Sequence, residues 1–352
     1  MRSVYTFKTV SVLLGIALAT GGLSAFAQQT AESTRTIQYY GDRKVVVPVT
    51  VTRIATAWEA QNAIIAMLGH GEHIVASTRI VRDMPVFRKF VPSIRDVPLA
   101  SRGGGDLNVE ELIRLQPQVL FLSSPPSPAQ AAQLQRAGIA VAAFRANSLP
   151  ALVERTMITG DILGDTAREK AKQYQAYFNN NVERVRKALA TLPVNQRKRI
   201  YHAVGTPLST SGRPSLNQDW MDLAGVENIA EQWFGGSGNA SANVSLEQII
   251  AGDPDIIVAM RSSDAQTIRT DPRWRNLRAV KEGRVHANPR GMFWWCRETS
   301  ETALQFLWLA KLAYPEQMKH IDMREETRHF YRTFYGYTLS DQEIDEFLNP
   351  QS

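Results

Sequence analysis

Arginine and aromatic side chains are concentrated in short loops of this sequence, and their chemistry indicates what those loops could bind. A guanidinium group presents a planar fork of donors that fits carboxylate, catecholate or oxyanion oxygens. A tryptophan face buries a large flat apolar area and attracts cations. Together the two types suit a bulky, anionic, partly aromatic ligand such as a ferric chelate. The candidates are Arg79, Arg82, Arg102, Arg213, Arg261, Arg290 and Arg297, with Trp58, Phe234, Phe293, Trp294 and Trp295.

Three of these arginines have neighbours that favour an exposed and adaptable backbone. Arg102, Arg213 and Arg290 each stand beside Gly or Pro, so we expect them to be the first ligand contacts. Any single loop arginine could instead be a solvated surface charge, and only two to four of the set are expected in the binding cleft. For the aromatic run 293–295, packing inside the protein is the alternative. The predicted ligand-binding set is Arg102, Arg213, Arg290, Arg79, Arg297, Trp58, Trp294 and Trp295.

A long amphipathic stretch in the middle of the chain is the most regular part of the framework that must position these loops. In residues 165–192, apolar or aromatic side chains recur every three or four positions, which predicts one face of a single α-helix. Residues 166–169 fit a capping box, and Pro193 ends the pattern. At about 1.5 Å per residue the helix would span roughly 40 Å. It would be either a strut between two lobes or a long surface helix.

Segments on the two sides of this helix resemble each other in the same order, which favours the strut. Strands alternate with helices on both sides, and this alternation predicts parallel sheets covered by helices. We therefore predict an α/β fold of two Rossmann-like lobes with parallel sheets, joined by one long connecting α-helix. The matching pairs are 67–74 with 223–229, 108–120 with 245–257, and 137–141 with 282–286.

The first 27 residues differ from the rest and predict export. Arg2 and Lys8 give a positive start, an apolar run follows in 10–23, and residues 25–27 have the A-x-A form of a cleavage site. We predict cleavage after Ala27 and a periplasmic location; an uncleaved membrane anchor is the alternative, and glycines interrupting the apolar run argue against it. The expected domains are a signal peptide in 1–27, an N-terminal α/β lobe in 28–150, a connecting helical segment in 151–193, and a C-terminal α/β lobe with a helical tail in 194–352.

Composition limits the classes of partner. The chain has 352 residues, of which 44% are hydrophobic and 21% charged, as is usual for a soluble globular protein. The formal net charge of +6 is dispersed without blocks of one sign, so no nucleic-acid partner is indicated. The single cysteine, Cys296, excludes an internal disulfide. We expect a monomer.

Ligands of parallel α/β lobes gather at the loops that follow the carboxyl ends of the strands. Most of the arginine and tryptophan candidates fall in such loops. The predicted cleft loops are 56–59, 78–82, 100–105 and 123–127 in the first lobe, and 205–215, 234–243, 260–264 and 288–297 in the second.

Weaker signals stay open. The tetrad 70–73 (His-Gly-Glu-His) looks like a metal site but stands at a predicted helix-to-strand turn, so we expect no metal there. Tyr201 or His202 could reach a metal from the cleft wall, although core packing is the alternative. Cys296 is expected to be a buried apolar residue, with a cleft role left open. Glycines 103–105 could accept an anion on backbone N–H groups or form a plain turn.

The ordered motifs resemble the class III substrate-binding proteins of ABC importers, which handle ferric siderophores, haem, vitamin B12 and some oxyanions. The similarity covers roughly residues 53–347. The resemblance implies two α/β lobes with the ligand held between them, and no cofactor. The segments that carry it are 107–117, 244–255, 274–285 and 307–315.

The resemblance also implies a docking role for two glutamates. In the family, one acidic residue on each lobe pairs with arginines of the permease dimer in the inner membrane, and Glu110 and Glu247 occupy the matching positions. The alternative is that each is a first-turn acid favoured by the helix dipole.

The resemblance and the loop residues together predict a periplasmic binding protein that delivers a metal chelate, of the ferric siderophore class, to an ABC importer. An oxyanion such as molybdate, and then haem or a corrinoid, are the alternative ligands. A periplasmic metal-dependent hydrolase or chelatase would need a nucleophile with a base, or paired acids at a metal. The sequence has no nucleophile elbow and no HExxH motif, which favours binding over catalysis.

Overall fold

The computed structural model describes residues 33–103, 106–235 and 242–350. The predicted signal peptide and its cleavage site lie outside the described residues, as do parts of the predicted cleft loops 100–105 and 234–243. The described residues form one compact unit. Within the described ranges, no helix combines the length and apolar character that crossing a membrane requires.

The first lobe is built on a four-stranded parallel sheet. Its order is β4-β3-β7-β8, and an antiparallel hairpin of β1 and β2 precedes it. The elements are β1 (Thr34–Tyr39), β2 (Arg43–Pro48), β3 (Ile54–Thr56), α1 (Glu59–Met67), β4 (Ile74–Ala76), α2 (Arg79–Asp83), α3 (Pro85–Phe90), β5 (Ser101–Gly103), β6 (Asp106–Leu107), α4 (Val109–Leu115), β7 (Val119–Leu122), α5 (Pro128–Arg136) and β8 (Ala140–Ala143).

The connection between the lobes contains two helices, α6 (Leu149–Leu163) and α7 (Asp165–Ala188), where the sequence predicted one. Gly164 separates them at φ 118°, a conformation that favours glycine. The predicted capping box is absent: Gly164 is the N-cap of α7, and no side chain caps the helix. The two helices approach closely because Gly160 has no side chain; a Cβ there would lie 2.8 Å from Ala171 Cβ.

The amphipathic pattern of α7 correctly marked its buried face. Ala167, Ala171, Tyr174 and Phe178 are all buried. Tyr174 donates a hydrogen bond to Ser300 O at 2.9 Å, so α7 packs on the second lobe. The helix α6 contacts both lobes: it packs on α1 of the first lobe, and the N–H of Leu149 donates to Asp219 of the second lobe at 2.9 Å. The pair of helices, rather than one straight rod, therefore makes the connection.

The second lobe repeats the sheet of the first. Its parallel order is β11-β9-β13-β14, so in both lobes the first strand lies between the second and the third. The elements are β9 (Arg199–Ala203), β10 (Ser209–Thr210), α8 (Leu216–Leu223), β11 (Glu227–Asn228), β12 (Ala242–Asn243), α9 (Leu246–Gly252), β13 (Ile256–Ala259), α10 (Ser262–Thr270), α11 (Arg278–Lys281), β14 (Val285–Ala287), α12 (Thr302–Ala313), α13 (Met323–Tyr335) and α14 (Asp341–Leu348).

The repeat extends to single hydrogen bonds. Gln118 Oε1 accepts from the backbone N–H of Arg53 at 3.1 Å, just before the first strand of the first sheet. Asp255 Oδ2 accepts from the backbone N–H of Arg199 at 2.8 Å, at the start of the first strand of the second sheet. Both side chains stand three residues after the end of the corresponding helix, α4 or α9, so the helix-to-strand joint is fixed in the same way in each lobe.

Candidate functional site: a cleft between the carboxyl ends of two sheets

A cavity of about 560 Å³ lies between the lobes, where the strands of both sheets end. Loops after β3, β4, β7 and β8 form one wall, and loops after β9, β13 and β14 with the start of α8 form the other. This is the position that the parallel sheets predict. The lining residues are Trp58, Glu59, Ala60, Ile80, Ser123, Ala146, Asn147, Val204, Gly205, Leu216, Asn217, Met260, Arg261, Phe293, Trp294, Arg297 and Glu298.

Three members of the predicted ligand-binding set line this cavity: Trp58, Trp294 and Arg297. Arg261, from the wider set of loop arginines, joins them and donates to Gly205 O at 3.1 Å. Phe293 lies beside Trp294 with the two rings edge to face, their centres 5.0 Å apart. The cavity therefore presents indole faces and guanidinium groups together.

The other members of the predicted set lie elsewhere. Arg213 pairs with Asp222 at 2.9 Å and Glu231 at 3.0 Å. Arg102 lies 3.5 Å from Glu110, and Arg79 is exposed on the first turn of α2. None of these three arginines lines the cavity. Arg213 and Arg102 instead face acids of their own lobes.

Two members of the set lie in the loop after β14 but outside the main cavity. Trp295 is completely buried in the hydrophobic core, which is the packing alternative that the sequence left open for this run. Arg290 lies behind Trp294, with its guanidinium carbon 4.4 Å from the centre of the indole ring.

Arg155, on α6, is a supporting residue that the sequence did not reveal. Its side chain is completely buried, and its guanidinium carbon lies 3.8 Å from the centre of the Trp58 ring. Burial lowers the pKa of Arg155 to about 10, which leaves it charged at neutral pH. A mid-helix arginine in an amphipathic pattern gives no sign of burial, so only the structure could identify it.

Glu298 joins the same network from the second lobe. Its carboxylate accepts from Arg155 Nη1 at 3.4 Å and from the backbone N–H of Asn147, and its carbonyl accepts from Arg155 Nη2. Asn147 follows β8 of the first lobe, and its Oδ1 accepts from the N–H of Leu216 in the second lobe at 3.2 Å. The base of the cavity is thus held by hydrogen bonds that cross from one lobe to the other.

A buried carboxylate anchors the loop that carries Trp294 and Arg297. Glu301 Oε1 accepts from Tyr331 Oη at 2.5 Å, and Oε2 accepts from Thr299 Oγ1 at 2.7 Å. Burial raises the pKa of Glu301, while the hydrogen bonds from Tyr331 and Thr299 act in the opposite direction. Gly291 packs against this network, since a Cβ there would lie 1.9 Å from Tyr331 Oη. These contacts therefore hold the loop that carries Trp294 and Arg297 in a fixed position on the second lobe.

His202, Tyr201 and Cys296 are buried rather than exposed in the cavity. Desolvation, with the nearby charge of Arg297, lowers the pKa of His202 to about 3. Burial raises the pKa of Cys296 to about 12 and also raises that of Tyr201, whose hydroxyl donates to Pro207 O at 2.9 Å. These environments favour the packing roles that the sequence left open.

The described ranges contain no group of three or more His, Cys, Asp or Glu side chains placed to hold a metal ion. Within the tetrad at 70–73, His70 Nδ1 lies 3.1 Å from His73 Nδ1. Burial lowers the pKa of His70 to about 4. The main cavity can therefore bind a ligand through hydrogen bonds, charged groups and aromatic rings.

The two predicted docking glutamates occupy equivalent places. Glu110 and Glu247 are each the second residue of a seven-residue helix, α4 and α9, that leads to the third strand of its sheet. Both side chains are exposed, that of Glu110 to 91%. Equivalent exposed acids on two similar lobes suit a partner that is itself two-fold symmetric.

The chain is similar to known binding proteins. The model of the periplasmic binding protein family matches residues 54–290. The molybdate-binding protein MolA of Haemophilus influenzae is 24% identical over 93% of this chain and 97% of its own length. The Fe(3+)-citrate-binding protein YfmC of Bacillus subtilis is 40% identical, over 40% of this chain and 42% of its own length. The crystal structure of a periplasmic solute binding protein from Veillonella parvula superposes with a TM-score of 0.79 at 25% identity, covering 90% of this chain and 97% of that one.

Proposed function

This chain belongs to the periplasmic binding protein family, the solute-binding components of ABC importers, and we propose that its solute is an anionic metal chelate of the ferric siderophore class. The chelate would be held between the lobes and delivered to a permease in the inner membrane. Capture needs no covalent chemistry, so we propose a binding protein and not an enzyme. A turnover assay with ester, phosphate and chelate substrates tests that part.

The observation that carries the proposal is the pairing of tryptophan faces with arginines in one cavity. Trp58 and Trp294 line the cavity, where Trp58 is 9% exposed and one face of each ring already lies against a guanidinium group. Arg261 and Arg297 have no carboxylate within salt-bridge distance among the described residues. Two acids line the same cavity: Glu298 pairs with Arg155, and Glu59 has no ion pair among the described residues. The two guanidinium groups that lack a carboxylate partner are matched by an anionic ligand, and the indoles by its planar or apolar parts.

Cavity size favours a chelate over a single small ion. Pockets of roughly 300–1,000 Å³ enclose most of a drug-sized ligand, and this cavity measures about 560 Å³. A four-oxygen anion would occupy a small part of it and would leave both tryptophans without a contact.

Molybdate is the second candidate because MolA, the relative with near full-length similarity, is named for it. An oxyanion would use Arg261, Arg297 and backbone donors of the cleft. Binding that depends on these arginines and ignores Trp58 and Trp294 would favour this alternative.

A titration of the purified mature protein separates the candidates. Tryptophan fluorescence is followed while ferric citrate, a ferric hydroxamate, a ferric catecholate, haemin, cobalamin or molybdate is added. We expect saturable quenching by at least one ferric chelate, weakened tenfold or more in Trp294→Ala and in Arg297→Gln. If molybdate alone binds saturably, the solute of this protein is an oxyanion and not a ferric chelate.

For the membrane partner, we propose docking through Glu110 and Glu247. Their equivalent positions in the two lobes and their exposure support this role. Cationic side chains on two permease subunits would pair with them.

A further inference from the structure

A second, smaller cavity of about 260 Å³ adjoins the main one behind Trp294. Met260, Arg261 and Trp294 border both cavities, and Arg290 and Pro350 border only the smaller one. All of these residues belong to the second lobe or to the chain end that follows it. We call this cavity the annex.

Arg290 places an unmatched positive charge in the annex. Its guanidinium is stacked on Trp294 at 4.4 Å, and its Nε is buried without a hydrogen-bond partner. No described carboxylate lies within 4 Å of this side chain. A half-buried guanidinium usually has an anionic partner, because removing it from water is costly otherwise.

Arg261 supplies the second cation, from the end of β13. It lines both cavities, and its Nη1 donates to Gly205 O, so the guanidinium is held near the boundary. Trp294 lines both spaces, and one face of its ring lies against Arg290.

We propose that the annex is an anion subsite that takes a pendant acidic group of the ligand, a carboxylate or a group of similar charge and size. Arg290 and Arg261 would bind this group while the body of the ligand lies against Trp58 and Trp294 in the main cavity. The inference rests on the proposed function and adds a substrate class to it: chelates that carry a free acidic arm.

The subsite predicts a difference between two ferric chelates. Ferric citrate carries pendant carboxylates, whereas ferric tris-acetohydroxamate is neutral and has none. The affinities of both are measured by fluorescence titration for the wild type, Arg290→Gln and the control Arg284→Gln. Arg284 is an exposed arginine of the same lobe that pairs with Glu282 at 3.3 Å, away from both cavities.

We expect Arg290→Gln to weaken ferric citrate tenfold or more, to change the neutral chelate less than twofold, and Arg284→Gln to change neither. An equal loss for both chelates, or no loss for citrate, would overturn the subsite. If the wild type binds no ferric chelate of the titration panel, the proposed function fails separately, and molybdate then tests the annex. In that case a tenfold loss of molybdate affinity in Arg290→Gln supports the subsite, and an unchanged affinity rejects it.

Discussion

The guanidinium carbon of Arg155 lies 3.8 Å from the centre of the Trp58 ring, and the same side chain is hydrogen-bonded to Glu298. Arg155 belongs to the connecting helix α6, Trp58 to the first lobe and Glu298 to the second. One buried side chain therefore contacts the connection and both walls of the cleft. Because Arg155 touches no open part of the main cavity, we assign it a positioning role.

Replacing Arg155 with Met should weaken both ligand binding and stability. The substitution leaves Glu298 without its cation, and breaking a buried ion pair from one side costs about 3–5 kcal/mol. The double variant Arg155→Met, Glu298→Gln removes the unpaired charge and should regain part of the unfolding free energy. Urea denaturation of the wild type, the single variants and the double variant measures this. Additive losses would show that the two side chains do not act as a pair.

Much of the fold could be predicted from the sequence because the two lobes repeat the same local signals. The matching segments 108–120 and 245–257 became equivalent helix–strand units, and both sheets have the same strand order. The predicted long helix 165–192 is present as α7 (Asp165–Ala188), but α6, which Gly164 separates from it, was not predicted. Apolar periodicity locates a buried face, but it does not show where a neighbouring helix folds back.

The site was predictable at the level of loops and less so at the level of side chains. Strand ends placed Trp58, Trp294 and Arg297 at the cavity. Arg213 does not line the cavity because it pairs with Asp222 and Glu231, which are separated from it in sequence but adjacent in the fold. Partner acids of this kind are visible only once the elements have packed together.

Stability should fall as the pH is lowered, because the fully buried His202 and the partly buried His70 are held in their neutral form. The pKa of His202 is about 3 and that of His70 about 4 in the folded protein, against 6.5 in the unfolded chain. The unfolded state therefore binds more protons below pH 6.5. His202 costs up to about 1.4 kcal/mol per pH unit until its folded pKa is reached, and His70 costs less because solvent screens it.

The variant His202→Phe keeps a ring against Trp220 and removes the titrating group. Urea denaturation between pH 7.5 and 4.5 should show a shallower loss of stability with falling pH in this variant. At pH 7.5 the two proteins differ only by packing. An identical pH slope would show that His202 is not held neutral by burial.

The close approach of α6 and α7 predicts that Gly160 tolerates no larger residue. An added Cβ would lie 2.8 Å from Ala171 Cβ and 3.0 Å from Ala167 O, so Gly160→Val should push the helices apart and lower the unfolding free energy by about 1–3 kcal/mol. Combining it with Ala171→Gly should restore part of the loss, since the first of these contacts disappears. Thermal unfolding of both variants tests this, and an unchanged midpoint in Gly160→Val would contradict the packing.

Removing the two exposed glutamates should abolish transport without affecting capture. Glu110→Ala with Glu247→Ala deletes one carboxylate from each lobe, and neither residue lines the cavity. We expect no uptake in cells that depend on this protein, unchanged ligand affinity in the purified variant, and an intermediate loss for each single change. The matched control is Glu111→Gln with Gln248→Glu at the next residues of the same two helices; glutamate at position 248 keeps the capping box with Ser245, and this variant should transport as the wild type does. Normal uptake by the Glu110, Glu247 variant would rule out docking through these carboxylates, and a parallel loss of affinity would show that the change acts on the cleft instead.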